Sequence, residues 1–556
     1  MGEAAALVHA ASDRDTQGVF EKKIMDVTEV VIVVTLVVTA IIIFVQIYAR
    51  DKSTESVLLM ALSLIIASVP VALPMVMQIT LAIGAKKMAE HKAIVSHLTA
   101  LQEVASMTVL CSDKTGTLTT ANITVMTDQI WTMPGFSAEE VLIYAAASSN
   151  RANLDDAIDS AVFRAMKTKY GDNWEDKLKD FQMTKFVGFN PEFKRTVSYC
   201  KTPKGEVKIG KGLIDKVLRT GNDGGDTWEV ANYSGIRDEV KKIDTDMSKK
   251  GYKTIAVACQ RGKKGKGNME FMGIIPMLDP PREDTQWVIE RMYESGIEVK
   301  MITGDHLNIA KETARLIGLS TNILPNTELW PASNVRDNLI EAAGGFAQVM
   351  PKDKQEVVCV LQERGFIVGM TGDGVNDAPA LKQAQIGIAV EGATDAARGA
   401  ADIILTEPGL SPIYTAVVES RRIYQRLRSY VLYRLSATVQ IVTVLSILIF
   451  VYDQSVSATY IILLALLNDL TMLMVAYDNV TPSPQPEKPT IFGLISLSFF
   501  LGTCMMLGSI MFYAWADDLL THRFKDTSSY RETIVYIQVS TRPFPTGALL
   551  SFLLLP

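Results

Sequence analysis

Apolar positions follow two different patterns along this chain. Towards each end they run on at membrane length, as in Val30 to Ala49, which carries no charge and is long enough to cross a hydrocarbon core of roughly 30 Å. Val57 to Ala85, Leu435 to Tyr452, Ala458 to Tyr477 and Ile491 to Ala516 repeat that pattern, with a sixth candidate near Thr533. Between the two ends the apolar runs are strand-length. One leads into Asp113, others end at Ile302, Met370 and Val390, and Asp402 to Leu405 makes another. Helical stretches such as Asp284 to Ser295 and Leu307 to Ile317 alternate with them. Strand, loop and helix in repetition predict a doubly wound parallel sheet with ligands at the carboxyl ends of its strands.

Residues 120–279 interrupt that rhythm with alternating pieces (TVSYC, EVKIG, TIAVAC), a helical Asp155 to Lys169 and a Gly/Lys-rich loop at Arg261 to Gly267. An insertion inside a sheet is most simply a separate domain. The expected order is a tail (1–28), two spans (29–84), a first part of the sheet domain (85–119), the insertion (120–279), its second part (280–429) and further spans (430–556). Thr481 to Pro489 reads as a Pro-rich linker.

Charge sets the expected topology. Lys22 and Lys23 precede the first span, Lys86 and Lys87 follow the second, and Arg421, Arg422, Arg426 and Arg428 precede the third, so the central block faces the cytosol. The first span is too long for a secretory signal and lacks a cleavage pattern. A net charge of -6 and the lack of a basic tract interleaved with aromatics argue against nucleic acid as a partner. Cys111, Cys200, Cys259, Cys359 and Cys504 show no paired spacing, which suits reduced thiols.

The sharpest chemical signal is Asp113-Lys114-Thr115-Gly116-Thr117-Leu118-Thr119. A carboxylate at a strand end, followed by a Gly-containing turn, can act as a nucleophile while backbone N–H groups hold a phosphate. No GxxxxGK[ST] occurs, so a P-loop is not the device that holds the nucleotide.

The DKTGT segment resembles that of the P-type ATPases, which phosphorylate its aspartate, and further motifs follow in that family's order. They are Asp279-Pro280-Pro281-Arg282, Thr303-Gly304-Asp305, Lys352 in Pro351-Lys352-Asp353-Lys354, and Thr371-Gly372-Asp373-Gly374-Val375-Asn376-Asp377. The resemblance runs from about Val30 to about Asp517. It implies a multidomain membrane protein: an α-helical transmembrane bundle, a cytosolic doubly wound α/β (HAD-like) phosphorylation domain and an inserted α+β nucleotide-binding domain. ATP and Mg²⁺ are the implied cofactors.

Phosphoryl transfer is mainly positioning and neutralisation of charge. A hard Mg²⁺ takes oxygen ligands and one or two carboxylates, so Asp113, Asp373 and the carbonyl of Thr115 are the candidate ligands, with Asp377 reached through water. Lys352 is expected to supply positive charge to the phosphoryl oxygens and Thr303 a hydroxyl hydrogen bond. Phe189, ahead of Asn190-Pro191-Glu192-Phe193-Lys194-Arg195-Thr196, resembles the family's adenine-stacking Phe, with Lys194 and Arg195 towards the phosphates. Lys211-Gly212 stands near a KGAP position but continues Leu213-Ile214. Arg282 and Asp305 complete the implied nucleotide contacts.

Pro70 and Pro74 bracket Val71-Ala72-Leu73 in mid-span, and two prolines four apart free backbone carbonyls. A simple kink is the plainer reading. The segment holds no Glu, unlike calcium pumps, and its PVALP form resembles plasma-membrane proton pumps. Asp469, after Asn468, lies within a span, where a carboxylate costs at least roughly 2.5 kcal/mol and is by default functional. The NDxT segment resembles the proton carrier of those pumps. Gln440 stands where plant proton pumps place an arginine, and Arg434 is the nearest one.

The reading is therefore ATP-driven proton export through an aspartyl phosphate by a multi-pass, plasma-membrane protein in contact with lipid, with homo-oligomers left open. A pump for another cation such as Na⁺, and a non-pumping fragment that binds nucleotide or regulates intact pumps, are the alternatives. No TGES-type loop occurs, two spans expected before Val30 are absent, and the chain stops inside an apolar run. The expectation is a shortened product that turns over poorly.

Overall fold

The computed structural model describes residues 19–68, 73–150, 156–190, 193–218, 220–223, 226–231, 233–261, 268–452, 457, 459–463, 466–467, 473–487, 491–521 and 533. Pro70, Asn468 and Asp469 lie outside the described residues, as do 262–267 of the Gly/Lys-rich loop and residues 458, 464–465 and 468–472 of the expected Ala458 to Tyr477 span. The chain divides into two units. One gathers Thr108–Ala401 and Glu407–Ser411; the other gathers Asp13–Met107, Asp402–Thr406 and Pro412–Pro556.

The first unit is built on six parallel strands in the order Ile386–Ala389, Val368–Gly372, Val109–Asp113, Glu298–Ile302, Gly345–Ala347 and Ile323–Pro325. Val109–Asp113 is buried at every position, as a central parallel strand covered on both faces should be. Helices Thr285–Glu294, Leu307–Leu316 and Pro351–Glu363 fall between strands in the chain. The two short strands Ile323–Pro325 and Gly345–Ala347 have three residues each, too few for an apolar run to mark them. Parallel order brings the carboxyl ends of Val109–Asp113, Glu298–Ile302 and Val368–Gly372 side by side.

The insertion is antiparallel. Its strands run Thr124–Val125, Glu270–Leu278, Lys253–Arg261, Gly205–Gly212, Arg195–Thr202 and Gln182–Asn190, with Trp131–Thr132 also on Glu270–Leu278. One cluster joins Ile209, Val257 and Met272 to Val141, Val162 and Met166 of helices Ala138–Ala147 and Ala157–Tyr170. A second joins Ala256, Phe271 and Ile274 to Trp228 and Val240. Alternate residues of the strands serve the two clusters, the period expected of a sheet covered on both faces.

Among the described residues of the second unit, three helices are long and apolar enough to cross a membrane: Ile24–Ala49, Ser411–Phe450 and Phe492–Ala516. Across the expected Val57 to Ala85 span the described residues are helical over Thr54–Ser68 and Leu73–Glu90. Pro74 lies within the latter. Residues 85–107 fall in this unit rather than with the phosphorylation strand, because Leu73–Glu90 runs past Ala85 without a breaker. Likewise Ser411–Phe450 continues through the boundary expected at 430; it has no Gly or Pro after its first turn. Ile403–Leu405 pairs antiparallel with Ala93–Val95. Gln440 is buried and its Nε2 donates to Ser509 Oγ at 2.9 Å, an uncharged partnership.

Candidate phosphorylation site

Asp113 is the last residue of its strand, and the register places it opposite Ile302 on one side, with Ser112 opposite Thr371 on the other. Everything that follows these three strand ends is thereby gathered around its carboxylate. After Asp113 the backbone turns through Lys114–Leu118, with Thr115 extended (φ -77°, ψ 125°) and Gly116 at φ +79°. A Cβ on Gly116 would lie 2.0 Å from Asp373 Oδ2, so both the dihedral and the space demand glycine.

Asp113, Asp373 and Asp377 bring carboxylate oxygens within 4.8 Å of one another. Lys354 Nζ donates to Asp113 Oδ1 and to Asp377 Oδ1, each at 2.6 Å, and Asp377 Oδ2 also accepts the Gly374 N–H at 3.2 Å. Burial raises the Asp113 pKa from 3.8 to about 7; Lys354 opposes this, and the Asp377 charge adds to it. Burial and then Asp377 also raise Asp373. Burial would lower Lys354, but Asp113 and Asp377 outweigh it and hold the ammonium above its usual value.

Lys354, rather than Lys352, therefore stands at the carboxylates. Two residues apart on a helix is about 200° of rotation, and the buried partners of Lys354 on Pro351–Glu363 are Val357, Val358 and Leu361. Lys352 is on the exposed face, its Nζ 5.3 Å from the Trp330 ring centroid. The helix start is held by Asp353, which accepts the Met350 N–H at 2.8 Å and Trp330 Nε1–H at 2.9 Å.

The residues around the loop form a second network. Lys114 pairs with Asp305 at 2.8 Å and Asp279 at 3.3 Å, and Asp305 pairs with Lys253 of the insertion at 2.8 Å. Burial alone would raise Asp305, but Lys114 and Lys253 hold its carboxyl below the usual range. Thr119 Oγ1 donates to Asp279 at 2.6 Å. Arg282 donates to the carbonyls of Thr117 (2.8 Å) and Gly116 (2.6 Å). Asp305 and Arg282 are thus engaged in bracing the loop. Thr303 is buried, and its Oγ1 accepts the Asp305 N–H at 3.1 Å, leaving its own hydrogen to donate.

Of the expected nucleotide residues in the insertion, Phe189 is 61% exposed, a large aromatic presented to solvent, and Lys194 is exposed at φ +45°. Arg195 is turned inward: it donates to Lys216 O at 2.9 Å and stacks 4.0 Å over the Trp228 ring. Lys211 is buried in an ion pair with Asp159 and donates to Ser149 Oγ at 2.5 Å. The family resemblance implies nucleotide contacts for both, but alternation along Arg195–Thr202 and Gly205–Gly212 places both side chains inside.

The carboxylate group fits a divalent cation. Three carboxylates lie around one ammonium, burial and neighbouring negative charge raise the carboxyls of Asp113 and Asp373, and all donors are hard oxygens. Thr117 Oγ1, in the same loop, is buried and has no hydrogen-bond partner among the described residues, as a group awaiting a ligand would be.

Comparison with known proteins agrees with this geometry. The family model for haloacid dehalogenase-like hydrolases matches residues 107–385. A protein of Methanocaldococcus jannaschii named as a cation-transporting ATPase is 38% identical over 92% of this chain and 62% of its own length. A protein of Dictyostelium discoideum named as a plasma membrane ATPase is 38% identical over 86% of this chain and 45% of its own. Plasma membrane ATPase 1 of Saccharomyces cerevisiae is 37% identical over 92% and 55% respectively. The chain spans about half the length of these relatives.

Proposed function

On the premise that this chain belongs to the haloacid dehalogenase-like hydrolase family, and within it to the P-type ATPases, we propose that it takes the γ-phosphate of ATP onto Asp113 as part of a multi-pass plasma-membrane pump that exports protons. The observation that carries the reading is the burial of Asp113 at the centre of a parallel sheet, within reach of Lys354, Asp373 and Asp377.

In the reaction an Oδ of Asp113 attacks the γ-phosphorus. The bond to the bridging oxygen breaks, its electron pair leaves on ADP, and an acyl phosphate forms. Water later attacks the phosphorus, returning the carboxylate and releasing inorganic phosphate. Lys354 neutralises charge growing on the phosphoryl oxygens, and Thr303 Oγ1–H and Thr117 Oγ1–H are the hydroxyl donors. Mg²⁺ held by Asp113, Asp373 and the Thr115 carbonyl, with Asp377 beside it, supplies the remaining positive charge when bound. Phe189 offers a face for adenine and Lys194 a nearby cation. Arg195 and Lys211 act by holding the insertion together.

The transported ion rests on the sequence. Asp469 with Asn468 is the carrier group, the Pro70–Pro74 break frees carbonyls along the path, and the names of two relatives point to the plasma membrane. The reading is tested in sealed vesicles holding the full-length gene product. ATP should drive vanadate-sensitive acidification and leave a hydroxylamine-labile phosphate on Asp113. Labelled phosphate retained by Asp113→Asn would overturn it, and unimpaired pumping by Asp469→Ala would remove the carrier.

A further inference from the structure

Asp284 begins helix Thr285–Glu294, where an aspartate ordinarily accepts hydrogen bonds from its own first turn. Here its side chain makes no such bond. A single oxygen, Oδ2, instead accepts from Leu410 N (2.6 Å), Ser411 N (2.8 Å) and Ser411 Oγ (2.7 Å). Ser411 is the first residue of the 40-residue helix Ser411–Phe450. The carboxylate of one helix start thus satisfies the orphan N–H groups of another, where negative charge also meets the positive end of the helix. The fit is close: Gly409 has φ +113°, and a Cβ there would stand 2.7 Å from Asp284 Oδ2.

The same short segment grips the phosphorylation loop. Thr120 N donates to Pro280 O (3.1 Å), Arg282 N to Leu118 O (3.1 Å), the Arg282 guanidinium to Gly116 O and Thr117 O, and Thr285 Oγ1 to Leu118 O (2.9 Å). Residues 280–285 therefore hold loop 116–120 with one set of bonds and the entry of the long helix with another. The two sets interleave along the backbone, with Asp284 between Arg282 and Thr285.

We infer that Asp284 is a positioning residue for the pump reaction, tying displacements of the Asp113 loop to the start of helix Ser411–Phe450. This rests on the phosphoryl-transfer reading above. Placement between two sites is not itself coupling, so the test measures coupling directly, by amide hydrogen exchange on the full chain in its membrane with and without Mg²⁺ and beryllium fluoride as the acyl-phosphate mimic.

In the wild type the mimic should slow exchange both in 114–120 and in 410–415, each by about threefold or more. In Asp284→Ala, exchange without the mimic should rise in both segments, and the mimic should still slow 114–120 while leaving 410–415 unmoved. Asp284→Asn, which keeps an acceptor oxygen, should restore much of the response; Ser411→Ala, which keeps its N–H, should lose only part of it. The inference is overturned if 410–415 responds alike in the wild type and Asp284→Ala, or if it does not respond in a wild type whose 114–120 is protected. A wild-type loop that ignores the mimic overturns the phosphoryl-transfer reading instead, and the unliganded rise in 114–120 then still decides whether Asp284 positions that loop. A merely structural pin would destabilise Asp284→Ala without separating the two responses.

Discussion

Lys354 Nζ lies 2.6 Å from an oxygen of Asp113 and 2.6 Å from an oxygen of Asp377, a single ammonium shared by two buried carboxylates. It is the cation nearest the atom proposed to receive the phosphoryl group. Lys354→Ala should reduce the rate of phosphoenzyme formation by about 10²-fold or more, the usual loss for one preorganised charge. Lys352→Ala should stay within about threefold, since its ammonium only covers Trp330. Acid-quench labelling with γ-labelled ATP compares the two.

The Asp113 carboxyl is raised from 3.8 to about 7, so between those values the folded protein binds a proton that the unfolded chain has released. Stability of the metal-free protein should therefore fall as pH rises from about 4 to about 7, by at most about 4 kcal/mol. Denaturant unfolding in EDTA at pH 5 and pH 8 measures this. Asp113→Asn should flatten the dependence, and Mg²⁺ should reverse it by binding the ionised form.

Asp305 has the opposite sign. Its carboxyl is held low by Lys114 and Lys253, so its contribution is present above the unfolded value near 4 and is lost as pH falls through the lower folded value. Asp305→Asn should destabilise the first unit by about 1–3 kcal/mol at pH 7, because Lys114 keeps Asp279 but loses its closer partner. The cost should shrink in acid, which unfolding curves at pH 3 and pH 7 would reveal.

Gly116→Ala should abolish phosphoenzyme formation without preventing nucleotide binding, since a methyl at φ +79° meets Asp373 Oδ2. Fluorescent nucleotide titration and phosphate labelling separate the two effects.

Phe189→Ala should raise the KM for ATP by roughly fivefold and leave kcat close to unchanged, as loss of one stacking contact of about 1 kcal/mol does. Steady-state kinetics at saturating Mg²⁺ distinguish this from a folding defect.

Much of the site was legible because parallel strands turn motif order into spatial neighbourhood. DKTGT, TGD and TGDGVND each follow an apolar run, and such runs end on one edge of the sheet. The choice between Lys352 and Lys354 needed the helical period: Lys354 has Val357, Val358 and Leu361 at i+3, i+4 and i+7, whereas Lys352 has Gln355, Glu356 and Cys359. The inward placement of Arg195 and Lys211 was hidden for a related reason. A cation in a strand of period two is as readily inward as outward, and only the partners Trp228 and Asp159, distant in sequence, decide which. The short strands Ile323–Pro325 and Gly345–Ala347 left no comparable signal.

Helix Ser411–Phe450 has 40 residues, which at 1.5 Å each is about 60 Å, twice what a hydrocarbon core requires. Half of it must stand clear of lipid. That half carries Arg421 and Arg426, whose guanidiniums reach the carbonyls of Ser483, Pro484 and Asp478. The projecting part is thus a stiff post with the Pro-rich turn strapped along it, and a proline placed near Tyr430 would divide one rod into two that no longer turn together.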